Sequence, residues 1–340
     1  MVLRWGIIGT GRIAGVFAED LLTTPSGSLD AVASRSRENA EKFAHRYHIQ
    51  KSYASYPELL EDPEVDAVYI STPHPHHAEW AIRAAHAGKH ILCEKPIGMN
   101  TQEAEQIIEA ADSNGVFLME AFMYRCHPQI QKMIDLIREG AIGQVRFIRA
   151  TFSFTDDFDE EHRALDPALG GGGILDVGCY CTSVSRLIAG VATGQEIAEP
   201  IELTGEACIG KSSRVDEYAF AQVRFPGEIL AHLATGVRLE MEDEVSVYGT
   251  GGRLFLPSPW LPGKEGRIPS IVLLRSGQQV PEIMRIDAPG QLYALEADVV
   301  AANIANRQAS FPSMTWEDTL GNMRMLDRWL EAVGMSYPPS

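Results

Sequence analysis

The sequence predicts an α/β fold in two parts: a doubly wound parallel sheet, then an α+β domain with a large, mainly antiparallel sheet. Over about the first 120 residues, short apolar runs alternate with longer segments of helical periodicity, the pattern of βαβ units. From Val145 onward, apolar and polar residues broadly alternate, as in antiparallel strands with one face in water. The 340 residues are 45% hydrophobic, enough for two domains, which we place at 1–122 and 123–340.

Strands of the first domain are predicted from runs rich in Val, Ile, Leu or aromatic residues, each followed by a turn or cap. They are Trp5–Ile8, Leu29–Ala33, Ala67–Ile70, His90–Cys93 and Val116–Met119. Helices are expected between them, among them Ala78–Ala87 and Thr101–Ser113. Asn100 precedes the second of these helices, with Glu103 three residues on, which predicts an N-cap.

Strands of the second domain are predicted from alternating runs separated by short polar or glycine-containing turns. They are Val145–Phe154, Tyr218–Phe225, Ile229–Thr235, Val245–Tyr248, Arg253–Leu256 and Ile271–Arg275. The chain should close with a helix capped by Thr315, because apolar residues recur at helical spacing after it. This stripe comprises Leu320, Met323, Leu326, Trp329, Leu330 and Val333.

Charge and cysteine usage exclude several classes of protein. A formal net charge of −17 would repel the phosphates of nucleic acid, so a nucleic-acid partner is not expected. The five cysteines are an odd number without a C-x-x-C pair, and we interpret them as reduced thiols of a cytoplasmic protein rather than metal ligands. The N-terminus runs into an apolar strand without a basic leader, and no membrane span is expected.

A glycine-rich turn follows the first predicted strand directly and opens a helix. Gly9, Thr10, Gly11, Arg12 and Ile13 precede Ala14, which places small residues where a dinucleotide pyrophosphate approaches the backbone. The alternative is an ordinary tight strand-to-helix turn, since a lone G-x-G-x-x-A is a weak signal. Its position after the first strand favours the dinucleotide site.

The end of the second strand indicates which dinucleotide is preferred. NAD-preferring proteins place an acid there to bind the ribose 2′-hydroxyl, whereas this chain has Ser34 and Arg35. A hydroxyl donor and a forked guanidinium suit a 2′-phosphate, so we predict NADP(H) over NAD(H). The alternative is that Arg35 and Arg37 are solvated residues at the start of a helix.

Two further loops lie at the carboxyl edge of the predicted sheet, where ligands bind. Ser71, Thr72, His74 and His77 follow the third strand and are expected along the cofactor. The histidines lack a neighbouring acid or cysteine ligand, and we predict no metal. Glu94, Lys95 and Pro96 follow the fourth strand, which places the Lys95 ammonium near the nicotinamide, where it can hold a substrate hydroxyl and lower the pKa of a neighbouring acid/base group.

Asp176 and Tyr180 follow a run of four glycines, Gly170–Gly173, which would let the chain approach a ligand closely. Four residues apart on a helix, a carboxylate and a phenol share one face and can converge on one substrate. The alternative is that Asp176 caps the helix and Tyr180 packs in the core.

Five segments in fixed order resemble those of the Gfo/Idh/MocA oxidoreductases, and the resemblance spans nearly the whole chain. They are G-T-G-R-I-A at 9–14, T-P-H-P-H-H at 72–77, C-E-K-P at 93–96, M-E-A-F-M-Y-R at 119–125 and G-G-G-G-I-L-D-V-G-C-Y at 170–180. The resemblance is closest to the branch with dimeric dihydrodiol dehydrogenase and NADP-dependent D-xylose dehydrogenases. It implies a Rossmann domain followed by a domain whose open sheet commonly makes the subunit contact, hence a homodimer or larger assembly.

The same resemblance implies roles for individual residues. Lys95 and Tyr180 would be the catalytic pair, and Pro96 is often cis in the family; many relatives carry His where Tyr180 stands. The remaining residues are expected at the nicotinamide end or on a loop over it: Arg125 at the cofactor, and Glu120, Phe122, Tyr124, Arg163 and Asp166 at the substrate.

The predicted reaction is hydride transfer between nicotinamide and a CH–OH carbon of a sugar, polyol or dihydrodiol. In the oxidation direction Tyr180, its pKa lowered by Lys95, takes the hydroxyl proton while Asp176 orients the substrate. Two alternatives stay open: a redox-neutral enzyme that retains its cofactor for epimerisation or elimination, and a non-catalytic NADP(H) sensor. The set of Lys95, Asp176 and Tyr180 argues against the sensor, since a binding module needs no convergent acid/base group.

Overall fold

A computed structural model describes residues 2–155 and 162–337, and the chain forms two compact units. The first unit contains the chain up to Cys126 together with Pro289–Thr319, and the second contains His127–Ala288 and the residues from Leu320 onward. The division predicted at residue 122/123 differs, because it leaves the returning segment Pro289–Thr319 in the second domain.

The first unit is built on a six-stranded parallel sheet with strand order β3-β2-β1-β4-β5-β6. This confirms the predicted parallel sheet, and the order is that of dinucleotide-binding doubly wound folds. The strands are β1 Leu3–Ile8, β2 Gly27–Ala33, β3 Lys51–Tyr53, β4 Ala67–Ile70, β5 His90–Glu94 and β6 Leu118–Ala121. The sequence analysis missed β3, a three-residue edge strand whose side chains are only partly buried.

Helices separate these strands, and one comes from the returning segment. They are α1 Arg12–Leu21, α2 Arg37–Tyr47, α3 Tyr56–Leu60, α4 His77–His86, α5 Thr101–Ser113 and α8 Leu292–Asn303. The predicted cap of α5 is confirmed, because the Asn100 side chain accepts a hydrogen bond from the Glu103 amide at 2.9 Å. Helix α8 packs on α1, where the Tyr293 amide donates to Asp20 at 2.9 Å. This contact explains why the chain returns to the first unit.

The second unit is built on an eight-stranded sheet with order β14-β13-β12-β11-β7-β10-β9-β8. Its pairs are antiparallel except β7 with β10, so the predicted mainly antiparallel sheet is confirmed. The strands are β7 Val145–Ser153, β8 Glu202–Ile209, β9 Asp216–Phe225, β10 Ile229–Gly236, β11 Glu244–Gly249, β12 Gly252–Pro257, β13 Ser270–Arg275 and β14 Glu282–Arg285. The two edge strands β8 and β14 were not predicted, because neither carries a buried apolar face.

One face of this sheet is covered within the unit by α6 Pro128–Arg138 and α7 Cys179–Ala192. The opposite face is open and partly apolar. Tyr218, Phe220 and Leu230 on it are 42%, 39% and 51% exposed. Phe147 on β7 lies beside Leu230, Tyr248 on β11 lies beside Phe147, and both are partly buried.

The last helix, α9 Trp316–Ala332, begins where predicted: the Thr315 hydroxyl accepts a hydrogen bond from the Asp318 amide at 3.2 Å. By length and composition, the stretch Pro167–Ala192 could cross a membrane, but the whole of its most apolar window is buried inside the protein. A buried stretch of this kind is typical of a core helix and is weak evidence for a membrane span.

Candidate active site

The glycine-rich turn between β1 and α1 leaves space for a ligand. Gly9 has a φ of +105°, which L-residues with a side chain rarely adopt. Within residues 2–155 and 162–337, a Cβ built on Gly11 would meet nothing within 4 Å, and no side chain caps the N-terminus of α1. Arg12 and Ile13 form the first turn of this helix, which carries no acid. An open helix N-terminus of this kind suits a pyrophosphate, so the turn fits a dinucleotide.

The loop after β2 is held in place from two sides. The Ser34 hydroxyl accepts hydrogen bonds from the Thr10 hydroxyl and the Ser36 amide, both at 3.3 Å, so its own proton is left for another acceptor. Arg35 lies against the phenol of Tyr56. The Tyr56 ring packs edge-on against Trp80, with centroids 4.8 Å apart. The two side chains predicted to bind a 2′-phosphate are thus both oriented by neighbours.

His77 connects the loops that follow β4 and β5. One ring nitrogen lies 2.8 Å from the Thr72 carbonyl and the other lies 2.8 Å from the Pro96 carbonyl. His77 is fully buried and opens α4, as predicted. Ser71 donates to the Ile8 carbonyl at 3.1 Å, which ties the same loop to β1. Both loops therefore hold a defined position at the carboxyl edge of the sheet.

The histidines of this loop do not form a metal cluster. His74 is 5% exposed, with its ring centroid 5.8 Å from that of His77. Among residues 2–155 and 162–337, no group of three His, Cys, Asp or Glu side chains is arranged to hold a metal ion.

Lys95 follows β5 and is joined to Pro96 by a cis peptide bond. The side chain of its neighbour Glu94 turns inward, where it accepts hydrogen bonds from the Tyr69 hydroxyl and the Lys95 amide. Glu94 was predicted to contact the cofactor, but the residue is only 8% exposed and its carboxylate holds the backbone of the loop at Lys95. Its contact with a cofactor stays a prediction.

Residues predicted at the end of β6 are all buried within the first unit. Phe122 and Tyr124 are at most 1% exposed and pack edge-on, with centroids 6.1 Å apart. Glu120 accepts from the Ile97 amide at 2.9 Å and from the Thr319 hydroxyl at 3.0 Å. Glu120 therefore holds the backbone two residues after Lys95, which is a structural contact beside its predicted role at the substrate.

Arg125 forms a buried ion pair. Its guanidinium donates to Asp318 and to the Pro312 carbonyl, both at 2.6 Å, and the two charged side chains are 0% and 2% exposed. These contacts join the end of β6 to the returning segment and the start of α9. They support a structural role for Arg125, while its predicted contact with the cofactor is untested.

Asp176 and Tyr180 lie in the second unit, on consecutive helical segments. Asp176 belongs to a π-helical turn, Ile174–Gly178, and Tyr180 to the start of α7. Arg163 lies 3.3 Å from the Asp176 carboxylate, with its own side chain 45% exposed. Tyr180 is 3% exposed, and its ring packs edge-on against Phe152 and Trp260, with centroids 5.0 and 5.7 Å apart. The second unit thus orients both side chains firmly.

Asp166 does not share this arrangement. Its side chain accepts from the Ala168 amide at 2.9 Å and caps the short 3-10 turn Pro167–Leu169. Residues 156–161, from the same loop region, lie outside the described chain.

The run of glycines before Asp176 packs against protein, which corrects its expected role in approaching a ligand. All four residues of Gly170–Gly173 are buried. A Cβ on Gly171 would lie 2.7 Å from the Ala164 carbonyl, and one on Gly172 would lie 2.2 Å from Asp216. The glycines are needed because neighbouring backbone and side chains fill the space that their own side chains would take.

Side chains that orient the predicted ones were not found from the sequence. Tyr56, Phe152 and Trp260 are far in sequence from the residues they contact, Arg35 and Tyr180. No motif marks them, since each acts through a contact formed only on folding.

Comparisons with known proteins identify the family. A model described as an oxidoreductase family with an NAD-binding Rossmann fold matches residues 3–122, and the GFO/IDH/MocA C-terminal domain matches residues 130–255. The chain is 32% identical to trans-1,2-dihydrobenzene-1,2-diol dehydrogenase of Xenopus laevis, over 99% of this chain and 100% of that protein.

Solved structures share the same architecture. The 3-ketoreductase KijD10 of Actinomadura kijaniata, in complex with NADP and TDP-benzene, has a TM-score of 0.84 at 26% identity over 98% of each chain. The aldose-aldose oxidoreductase of Caulobacter crescentus has the same fold, with a TM-score of 0.84 at 24% identity over 98% of each chain. The resemblance and the fold class predicted from the motifs are thus confirmed, and the chain is an oxidoreductase of the Gfo/Idh/MocA family with an NAD(P)-binding Rossmann fold.

Proposed function

We propose that this oxidoreductase moves a hydride between NADP(H) and a CH–OH carbon of a sugar, polyol or dihydrodiol. The observation that carries the proposal is the phenol of Tyr180, buried and fixed by two aromatic rings, close in sequence to the buried carboxylate of Asp176. The names of similar proteins support it: one relative is a trans-1,2-dihydrobenzene-1,2-diol dehydrogenase, and one neighbour in structure is a 3-ketoreductase in complex with NADP and TDP-benzene.

In the proposed mechanism, each side chain of this set has one task. In the oxidation direction Tyr180 takes the proton of the substrate hydroxyl, and the Lys95 ammonium stabilises the phenolate and holds the hydroxyl. Asp176, held by Arg163, accepts a hydrogen bond from a second hydroxyl and orients the substrate. The bound nicotinamide supplies the hydride acceptor.

Cofactor residues are proposed at the carboxyl ends of four strands of the first unit. Gly9–Ile13 would hold the pyrophosphate, Ser34 and Arg35 the 2′-phosphate, and Ser71, Thr72, His74, His77, Lys95 and Pro96 the ribose and nicotinamide. Support for NADP(H) over NAD(H) comes from the available Ser34 proton and from the Arg35 guanidinium placed against Tyr56, with no acid at this strand end.

The proposal is tested by following nicotinamide absorbance with NADP⁺ or NAD⁺ over D-xylose, D-glucose, inositols and a trans-dihydrodiol. We expect turnover with one of these and NADP⁺, and its loss in Lys95→Ala. Replacing Arg35 by Ala should lower kcat/KM for NADP⁺ by about 10- to 100-fold, the worth of one charge-assisted hydrogen bond, and leave NAD⁺ little changed. Arg37→Ala is the matched control, because the Arg37 side chain is 66% exposed and its ion pair with Glu41 is long, at 3.9 Å.

Three outcomes would contradict the proposal. Equal loss with both cofactors in Arg35→Ala, or a wild type that prefers NAD⁺, would overturn the cofactor preference. Purified protein that carries nucleotide but reduces none of it over the panel would favour the redox-neutral enzyme.

We also propose that a second copy of the chain covers the open face of the eight-stranded sheet. Tyr218, Phe220 and Leu230 expose apolar rings and methyl groups to water on this face, a feature typical of subunit contacts. Leu230→Glu is expected to convert a dimer into monomers in sedimentation or size-exclusion measurements. Leu22→Glu, at a 60% exposed leucine of the first unit, is the control and should leave the dimer intact. A wild type that sediments as a monomer would contradict the proposal.

A further inference from the structure

A buried carboxyl group that the proposed mechanism does not use lies beneath the segment leading to Asp176. Asp216 begins β9 and is fully buried. Its Oδ2 accepts a hydrogen bond from the Ile174 amide at 2.6 Å, at the first residue of the π-helical turn. The Gly173 amide also donates to this carboxyl group. Asp216 therefore holds the start of the helix that carries Asp176 and Tyr180.

The C-terminal tail reaches the same point through Tyr337. Its hydroxyl donates to the Gly171 carbonyl, three residues before Ile174. A Cβ on Gly172 would lie 3.0 Å from the Tyr337 oxygen and 2.2 Å from Asp216 Oδ1, so these two groups crowd the same glycine. Tyr337 and Asp216 are hydrogen-bonding partners. The tail, β9 and the glycine run thus meet in one small cluster of polar groups.

Counting protons in this cluster shows a shortage of donors. Tyr337 has one proton, which it gives to the Gly171 carbonyl, so its oxygen can only accept from Asp216. With Asp216 ionised and Tyr337 donating to Gly171, Asp216 Oδ1 has no hydrogen-bond partner among residues 2–155 and 162–337. With Asp216 neutral, the carboxylic acid donates to the Tyr337 oxygen and every group is satisfied. Burial favours the neutral form and raises the pKa of Asp216 to about 7, although the backbone amides oppose this shift.

We propose that Asp216 is a positioning residue for Asp176 and Tyr180, which acts through a hydrogen-bond chain that it closes only as the neutral acid. The chain runs from the Ile174 amide to Asp216, from Asp216 to Tyr337, and from Tyr337 to the Gly171 carbonyl. When Asp216 ionises, Tyr337 must turn its proton to the carboxylate, and the Gly171 carbonyl loses its donor. The proposal rests on the proposed function, because it assumes that Asp176 and Tyr180 work on the substrate.

The groups facing Asp216 are few and identifiable. They are the backbone amide of Ile174 in the π-helical turn, the amide of Gly173 just before it, the amide of Asp216 itself in β9, and Tyr337 in the tail. Burial, together with the fields of Asp216 and Asp176, raises the pKa of Tyr337, which keeps its proton throughout the neutral range. Asp216 is thus the group of this cluster that titrates near pH 7.

The experiment compares the wild type with Asp216→Asn and Tyr337→Phe. Asparagine copies the neutral acid, since its oxygen can accept from Ile174 and its amide can donate to Tyr337. Phenylalanine removes the link to Gly171 at every pH. We expect the ratio of kcat in Asp216→Asn to kcat in the wild type to rise several-fold as pH passes 7. Tyr337→Phe should lower kcat across the whole range and leave cofactor affinity unchanged.

Thermal unfolding provides a readout that does not depend on the reaction. A group whose pKa is raised on folding stabilises the folded state at low pH, and this contribution is lost as pH rises to the folded-state pKa. The wild type should therefore lose stability relative to Asp216→Asn between about pH 4 and pH 7.

The outcomes separate this inference from the proposed function. The inference is overturned if the pH dependence of kcat is the same in Asp216→Asn as in the wild type and Tyr337→Phe is fully active. This conclusion holds even when Tyr180→Phe has lost turnover. If Tyr180→Phe keeps full turnover, the proposed function fails, and the unfolding measurements still decide whether the hydrogen-bond chain titrates.

Discussion

Replacing Tyr180 by phenylalanine is expected to lower kcat by about 10²- to 10⁴-fold, the usual contribution of a positioned acid/base group. The ring of Tyr180 packs against Phe152 and Trp260, and phenylalanine keeps these contacts. Only the hydroxyl, which we propose exchanges a proton with the substrate, is lost. Steady-state kinetics with the best substrate of the panel and saturating NADP⁺ measure the effect.

The control for this variant is its thermal unfolding midpoint, which should stay near that of the wild type. Lys95→Met tests the partner side chain, since it keeps the aliphatic stem and removes the charge. We expect kcat to fall in both Lys95→Met and Tyr180→Phe. The double variant should lose much less than the product of the two losses, because the effects of two groups that act as one unit are not additive. Full turnover in Tyr180→Phe would remove this residue from the mechanism.

Replacing Arg125 by methionine is expected to lower the free energy of unfolding by about 3–5 kcal/mol, because it leaves a buried charge uncompensated. The side chains of Arg125 and Asp318 are 0% and 2% exposed, and their ion pair measures 2.6 Å. Without the guanidinium, Asp318 must either stay ionised without a cationic partner in a buried environment or take up a proton. Urea unfolding followed by tryptophan fluorescence measures the loss.

Arg307 provides a matched control in the same unit. It pairs with Asp112 at 2.9 Å, but these side chains are 48% and 56% exposed, so Arg307→Met should cost less than about 1 kcal/mol. The double variant Arg125→Met/Asp318→Leu should recover most of the stability, since no buried charge remains. An Arg125→Met protein of normal stability that no longer binds NADP⁺ would instead support the predicted contact of Arg125 with the cofactor.

Most elements of both sheets could be predicted because burial imposes a period on the sequence. Strands β1, β4 and β5 are fully or mostly buried and appear as continuous apolar runs, and β9 and β10 alternate because one face is open. Edge strands have no such constraint, which explains why β3, β8 and β14 were missed. The return of Pro289–Thr319 to the first unit depends on the packing of helix α8 on α1. No local sequence pattern predicts a contact between segments so far apart in the chain.

The candidate site divides in the same way. The turn at 9–14 and the segments around Lys95 and Tyr180 could be proposed from the sequence, because the chemistry assigned to them requires particular residue types at fixed spacing after a strand or helix. The role of the glycines at 170–173 was not predicted. Glycine is required both where a chain packs closely against protein, as here against Ala164 and Asp216, and where it approaches a ligand, so the residue type does not distinguish the two. Glu120 and Arg125 were assigned to ligands by the resemblance to the family, and the structure pairs them with Ile97 and Asp318.

The sequence by itself determined the fold class and the family, because local periodicity and motif spacing encode these features, and it supplied the residues proposed for the dinucleotide and the acid/base pair. Only the tertiary structure decided how those residues are held: His77 between two loop carbonyls, Tyr180 between two rings, and Asp216 under the glycine run. Such contacts join segments that are distant along the chain, and their energy depends on burial and on hydrogen-bond partners that exist only in the folded protein.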